Sequence, residues 1–282
     1  MKVCKTKLQA RLKSARRMPT WQFPEDTPAG YTNKLDRGKQ PGDFLGLGGK
    51  AVIRERYEAY EYAAVEYERS GRRRLTCWSD ATLRSARTDR PTQRFWSSPD
   101  PERLEWEWHG AAVLCREDFA ESGSKAWTRD SVACPPRRDD ITRLELLAID
   151  LAFGLASQKL RRDLETHGHR RGWDTFVDFT DSQSAIMAIR DFRLGEPYQS
   201  MVRSWDPVIT AINAKFTFLR SHGVAVELHW VPSHVGIEGN ELADEEADAA
   251  AEFGKLWDAT GDPSKASLQW NKRRTQAWAC LI

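Results

Sequence analysis

Apolar and polar positions change rhythm several times along the chain, and each change predicts an element. Leu75–Asp80, reading LTCWSD, is a short run of strand formers. Two further strand-like runs, WEWHGAAVLCRE and GSKAWTRDSVACP, are joined by a turn around Ser122–Gly123. The period then lengthens. Ile141, Leu144, Ala148, Ala152 and Leu155 recur at helical spacing behind Asp139 or Asp140 as cap, and predict a helix to about Leu160. WDTFVDFT is the next strand, Ser182–Phe192 a short helix and Ser200–Arg220 a longer one. Val224–Val231 is an apolar, β-branched run that stops at Pro232, and Asn240–Phe253 is the last helix. Upstream, residues 51–70 place Tyr57, Tyr60, Tyr62 and Tyr67 among Glu and Ala and read as helical. Residues 18–50, with PEDTPAG and GLGG, read as linker, and Arg84–Arg103 as a long loop.

The predicted order from Leu75 is strand, strand, strand, helix, strand, helix, helix, strand, helix. Three adjacent strands followed by alternating elements imply an α/β fold with one mixed sheet and helices on its faces. The chain divides into a basic arm, linker and helix (1–70), a folded domain (71–254) and a tail (255–282).

Composition sharpens this picture at three points. With 40% hydrophobic residues, the 282-residue chain can bury a core, and no run of about 18 apolar residues suggests a membrane span. The net charge of +2 hides an asymmetry: residues 1–50 carry eleven basic and four acidic side chains, the rest 32 and 37. A basic arm on a mildly acidic body suits a polyanionic partner, and equally a solvated tail. The first 17 residues hold seven basic residues and no acid, without a secretory apolar segment. An intracellular setting is expected, with nucleus and mitochondrion both open. The five cysteines, Cys4, Cys77, Cys115, Cys134 and Cys280, are widely spaced and form no CxxC pair. Reduced thiols are therefore expected rather than a zinc knuckle or a disulfide framework. Half of the twelve tryptophans, Trp78, Trp108, Trp127 and Trp230 among them, fall in strand-like runs and read as core before base-stacking platforms.

Candidate chemistry begins with Glu145. On a helical wheel its apolar neighbours Ile141, Leu144, Ala148, Ala152 and Leu155 span about 80°, and Glu145 lies about 20° from Ala152, at the edge of that face. Asp150 lies about 140° away from Glu145. A carboxylate on a core-facing stripe needs a cation or an Arg partner. Asp80 ends its strand, a common place for a polar residue. Asp181 also ends a strand, and serves equally well as a helix N-cap or as a ligand. Asp178, three residues away, points to the opposite sheet face. His234 follows a strand and a Pro-Ser step in HWVPSHVGIEGNELADEEADAAAE, while Asp244 sits one turn into an acidic helix whose other carboxylates form mostly a solvated face. His229, mid-strand, and His167 and His169, in a basic loop, read as structural.

Four motifs in order, SDAT at 79–82, LELLAI at 144–149, FTDSQSAI at 179–186 and WVPSHVGIEGNELAD at 230–244, resemble the type I ribonuclease H family, including domains carried by retrotransposons. The last is the most specific, and the resemblance covers roughly residues 74–253. It implies a ribonuclease H-like fold: a five-stranded mixed sheet, three antiparallel strands then two parallel ones. It implies a hydrolase, an endoribonuclease cutting the RNA strand of RNA–DNA hybrids and leaving 5′-phosphate and 3′-hydroxyl ends. It maps four metal-binding carboxylates onto Asp80, Glu145, Asp181 and Asp244, and a catalytic histidine onto His234. Gln183 and Asn240 match substrate-contact positions. Oxygen-only ligands suit two Mg²⁺ or Mn²⁺ ions, about 3.5–4 Å apart in two-metal sites. The expected partner is a hybrid nucleic acid, with no small-molecule cofactor.

The chain departs from the family pattern in Ala81, where glycine is usual, and in the nearly neutral stretch DFRLGEPYQSMVRSWD, where a lysine-rich protrusion is expected. Those departures leave open a catalytically weak, nucleic-acid-binding remnant of a retroelement domain. A DNA-cutting transposase or integrase is a further relative, against which the His234–Asp244 motif argues.

Overall fold

The computed structural model describes residues 49–69, 73–84, 107–117, 126–135, 140–170, 172–194 and 205–261. The basic arm, most of the linker, most of the loop after Arg84 and the tail beyond Gly261 lie outside them. The described elements are β1 (Gly49–Val52), α1 (Arg56–Arg69), β2 (Arg73–Thr82), β3 (His109–Glu117), β4 (Ala126–Cys134), α2 (Ile141–His167), β5 (Trp173–Thr180), α3 (Gln183–Leu194), α4 (Asp206–Ser221), β6 (Ala225–Trp230) and α5 (Glu238–Thr260).

One sheet in the order β1-β6-β5-β2-β3-β4 organises them. β2 runs antiparallel to β3, and β3 to β4, while β2, β5, β6 and β1 are mutually parallel along the sheet. The mixed α/β architecture matches the expectation. The strand count does not: the described residues form six strands rather than five. The extra one is Gly49–Val52, which pairs with β6 from Gly49↔Val226 to Val52↔His229. Four residues reading GKAV are too few to show a period, so the sequence offered only a linker followed by a helix. The sheet therefore starts upstream of residue 71, and α5 runs past residue 254 to Thr260.

Alternation of side chains along the strands builds two cores. Leu75, Cys77 and Phe176 pack with Leu146, Ile149 and Phe153 of α2 and with residues of α3 and α4. Their strand neighbours Trp78, Val177 and Phe179 pack instead with Tyr60 and Ala63 of α1 and with Ile237 and Ala243 around the start of α5. Helices thus cover both faces, with α2, α3 and α4 on one and α1 and α5 on the other. The approach of α5 depends on two glycines. A Cβ at Gly110 of β3 would collide with the Ala247 carbonyl, and one at Gly239 of α5 with the Trp78 ring. Alanine at either position would push α5 off the sheet.

The second face also holds a paired charge network. Glu227 of β6 meets His229 Nε2 at 3.1 Å, Lys50 Nζ at 3.4 Å and Arg74 Nη1 at 3.7 Å. Arg74 Nη1 also donates to Glu66 of α1 at 2.9 Å and to the Tyr62 hydroxyl at 3.1 Å. The Tyr62 ring stacks on His229 with centroids 4.6 Å apart. β1 and α1 are clamped to the sheet through these bonds.

Two other expectations are corrected. Cys77 and Cys115 face each other across β2 and β3 and form a disulfide, not the reduced pair inferred from spacing. Directly opposed residues on antiparallel strands come close enough to bond, and only the register reveals the pairing. Cys134 is buried and lies outside this disulfide. Ile141 is 40% exposed, although the wheel put it on the buried stripe. It is the first residue of α2, and a wheel gives direction without saying where the covering sheet stops. Among the described residues, no helix is long and apolar enough to cross a membrane.

Candidate active site

The parallel strands β2, β5 and β6 all point their carboxyl ends at one edge of the sheet, the place where open α/β sheets expose polar side chains to ligands. Asp80 lies two residues before the end of β2, and Asp181 directly follows β5. Ser79 is in register with Thr180, so the two acids leave neighbouring strands almost side by side. Glu145, in the second turn of α2, completes the group. Asp80, Glu145 and Asp181 each offer an oxygen within 4.8 Å of the others.

Local structure explains why these positions are available. Asp140 caps α2, accepting from the Thr142 amide at 2.9 Å, so Glu145 is not needed for capping. The Asp181 side chain is not the cap of α3 either. It is the Ser182 hydroxyl that accepts from the Ala185 amide, at 3.3 Å, in the capping position of α3. Asp181 is instead held through its backbone: Trp230 Nε1 donates to its carbonyl at 2.9 Å, tying the ends of β5 and β6 together. Asp178 does point elsewhere. It is fully buried and accepts from the Ser79 hydroxyl at 3.0 Å. Ala81, in place of the usual glycine, sits in extended strand and donates its amide to Asp80 Oδ1 at 2.7 Å.

Asp244 and His234 form the rim. His234 Nδ1 is 3.9 Å from Asp244 Oδ2, with the His234 side chain 75% exposed. Asp244 is half-exposed and lies outside the tight group of three. His234 also has a left-handed φ of 52°, uncommon for a non-glycine residue, which fixes the loop after β6 in this turn. Gln183 is exposed at the start of α3. Asn240 is buried instead, and its Oδ1 has no hydrogen-bond partner among the described residues.

The electrostatics are those of acids crowded together out of water. Burial pushes the Asp80 carboxyl up to about 8, with Asp181, Asp244 and Asp248 adding to the effect and the Ala81 amide opposing it. Burial first, then Asp80, Asp181 and Asp244, holds Glu145 well above the usual carboxylate range. Asp181 and Asp244 are raised mainly by burial too, with His234 pulling both down. Glu145 Oε2 is buried without a hydrogen-bond partner among the described residues. An all-oxygen donor set with an orphaned oxygen at its centre fits a hard divalent cation, which would supply the missing counter-charge.

Sequence reasoning missed two residues here. Asp248 lies one turn beyond Asp244 on α5, near enough to raise both Asp80 and Asp244. Arg84, which the sequence places in a loop, pairs with Asp248 at 3.0 Å and with Glu252. The i, i+4 spacing from Asp244 was a usable signal for Asp248. Nothing local in the sequence marks Arg84.

The sequence model of the RNase H family matches residues 128–252. That stretch includes Glu145, Asp181, His234 and Asp244, whereas Asp80 comes from β2 upstream of it. Among solved structures, similarity is found to LC9-RNase H1, a type 1 RNase H with the type 2 active-site motif, at 20% identity over 64% of this chain and 73% of that one, with a TM-score of 0.41. RNase H1 from the halophilic archaeon Halobacterium salinarum NRC-1 is similar at 13% identity over 64% and 98%, with a TM-score of 0.36. The PFV RNase H domain is similar at 13% identity over 64% and 96%, with a TM-score of 0.42. No curated protein matches.

Proposed function

From the premise that residues 128–252 make this chain the carrier of an RNase H family domain, we propose that it is an RNA–DNA hybrid endoribonuclease working with two Mg²⁺ or Mn²⁺ ions. The observation that carries this reading is the convergence of Asp80, Glu145 and Asp181 within 4.8 Å at the carboxyl ends of parallel strands. Asp244 supplies the fourth carboxylate from α5.

Divalent ions held by these carboxylates would supply counter-charge to the reacting phosphodiester. The residues of this chain do the rest. Asp80 on β2 and Asp181 directly after β5 present their oxygens to the same point. Glu145 is held on the buried face of a long helix, and its Oε2, unpartnered among the described residues, is available to a cation or to the RNA 2′-hydroxyl, the group that separates RNA from DNA. His234, exposed beside Asp244, carries a proton between the departing oxygen and solvent. Water adds to phosphorus, the P–O3′ bond breaks, and the fragments end in 5′-phosphate and 3′-hydroxyl.

Incubating the full chain with an end-labelled RNA–DNA hybrid and Mg²⁺ tests this directly. The expected result is RNA-strand cleavage with those ends, absent for Asp181→Asn. Intact hybrid with the wild-type chain, or equal cutting by the variant, would overturn it. A second reading, a nucleic-acid-binding remnant with little turnover, draws on the position of Asp244 outside the tight group of three. Salt-dependent hybrid binding without cleavage would select it.

A further inference from the structure

Arg84 leaves the end of β2 four residues after Asp80 and turns toward α5. Its Nη2 lies 3.0 Å from Asp248 Oδ1 and 3.5 Å from the Asp248 carbonyl oxygen, and its Nη1 pairs with Glu252. Its backbone amide donates to Nδ1 of His109 at 3.1 Å. His109 opens β3 and is fully buried, so the base of Arg84 is anchored in the sheet. Asp248 is half-exposed and sits on α5 one turn beyond Asp244. Without a partner it would add a fifth negative charge beside the four proposed ligands, close enough to act on Asp80 and Asp244. An arginine that bridges Asp248 and Glu252 and is anchored at its backbone is a stiffer neutraliser than a free lysine on the surface.

Resting on the nuclease reading, we propose that Arg84 is a positioning residue: it draws Asp248 aside and cancels its charge, so that the site attracts cations without repelling the anionic substrate. A purely structural ion pair would change both affinities in the same direction, by loosening the site. Charge neutralisation predicts opposite directions, because cation and phosphate carry opposite signs.

The experiment uses the full chain. Mn²⁺ affinity is measured by electron paramagnetic resonance, and KM for a labelled hybrid in Mg²⁺. Arg84→Met should tighten Mn²⁺ and raise KM, each by roughly three- to ten-fold at low salt, with both effects shrinking as ionic strength rises. Asp248→Asn, at an exposed helix position, should do the reverse by a similar factor without disturbing Arg84. The double variant should return toward wild type, and Arg84→Lys should restore part of the effect. Affinities that move together, or a double variant no closer to wild type than Arg84→Met, would overturn the assignment. Should wild type itself take up no Mn²⁺ and cut no hybrid, the nuclease reading fails first and takes this inference with it.

Discussion

Two carboxylates of this sheet are buried almost equally and titrate in opposite directions. Asp80 is 5% exposed and its carboxyl is pushed up to about 8; Glu227 is 7% exposed and its carboxyl is drawn down to about 2. Burial raises both. The difference is the company each keeps. Glu227 has His229, Arg74 and Lys50, which together outweigh its desolvation. Asp80 has Asp181, Asp244 and Asp248, which add to it. Burial alone therefore does not mark a functional acid; a buried acid whose charged neighbours share its sign does. Among the described residues, Glu227 is met by cations, whereas the neighbours acting on Asp80 and Glu145 are mainly other acids.

Replacing Asp80 tests the unpartnered side and should give the largest effect. Asp80→Asn is expected to cut hybrid cleavage by about a thousand-fold or more, a loss typical of groups that stabilise a transition-state charge directly. The same change should stabilise the cation-free fold. A carboxyl raised from 3.8 to about 8 in the folded state favours folding while protonated. That advantage fades as pH climbs from about 4 through about 8, so cation-free wild type should lose stability on the alkaline side. Thermal melts in EDTA between pH 5 and 9 should show this falling limb, flattened in Asp80→Asn and flattened by Mn²⁺ in wild type. A flat wild-type profile would mean that the acids do not crowd one another.

Glu227→Gln is the complementary test, and the next largest. It leaves His229, Arg74 and Lys50 without their carboxylate, so a loss of roughly 2–4 kcal/mol is expected, below the full cost of a broken buried pair because Lys50 and Arg74 are partly solvated. Its pH signature has the other sign. A carboxyl lowered from 4.5 to about 2 stabilises the fold above pH 4.5 and loses that contribution as pH falls toward about 2. His229, whose imidazole is lowered mainly by burial, adds a loss as pH drops below its ordinary range near 6.5. Acid melts should therefore be less steep in Glu227→Gln, while hybrid cleavage at a permissive temperature stays intact. Abolished cleavage in a folded variant would erase the distinction between the two clusters.

How much of this was legible beforehand depended on whether the signal was local. Glu145 announced itself because an acid on an apolar helical stripe is anomalous within one element. Asp181 did not, since the N-cap and ligand readings share a sequence, and only the Ser182–Ala185 hydrogen bond separates them. The mixed sheet followed from element order, whereas β1 was too short to show a period, and its pairing partner lies some 180 residues downstream. The Cys77–Cys115 bond, the Glu227 network and the Arg84–Asp248 pair all arise from register between distant segments. His229 was read as structural, and its bond to Glu227 gives that reading its cause. Glu246 runs against the solvated acidic face expected for α5: it is buried, with Arg129 at 3.3 Å.

Asp178 gives the smallest and most discriminating test, because it belongs to neither cluster. It lies three residues before Asp181, accepts one hydrogen bond from Ser79 and leaves Oδ1 without a partner among the described residues. Burial holds it well above the usual carboxylate range, with Ser79 opposing. Asparagine has nearly the same shape and is neutral at every pH. It can still accept from Ser79 but buries one more N–H than the acid does. Asp178→Asn should therefore cost no more than about 1–2 kcal/mol at pH 6. The deficit should shrink as pH rises, because wild type must then either ionise a buried group or strain to keep it protonated. Chemical denaturation at pH 6 and pH 9 measures that crossing. A loss well above this at pH 6 would mean Asp178 is ionised there, sharing the cation that the neighbouring acids require, and the boundary between site and support would have to move one layer deeper into the sheet.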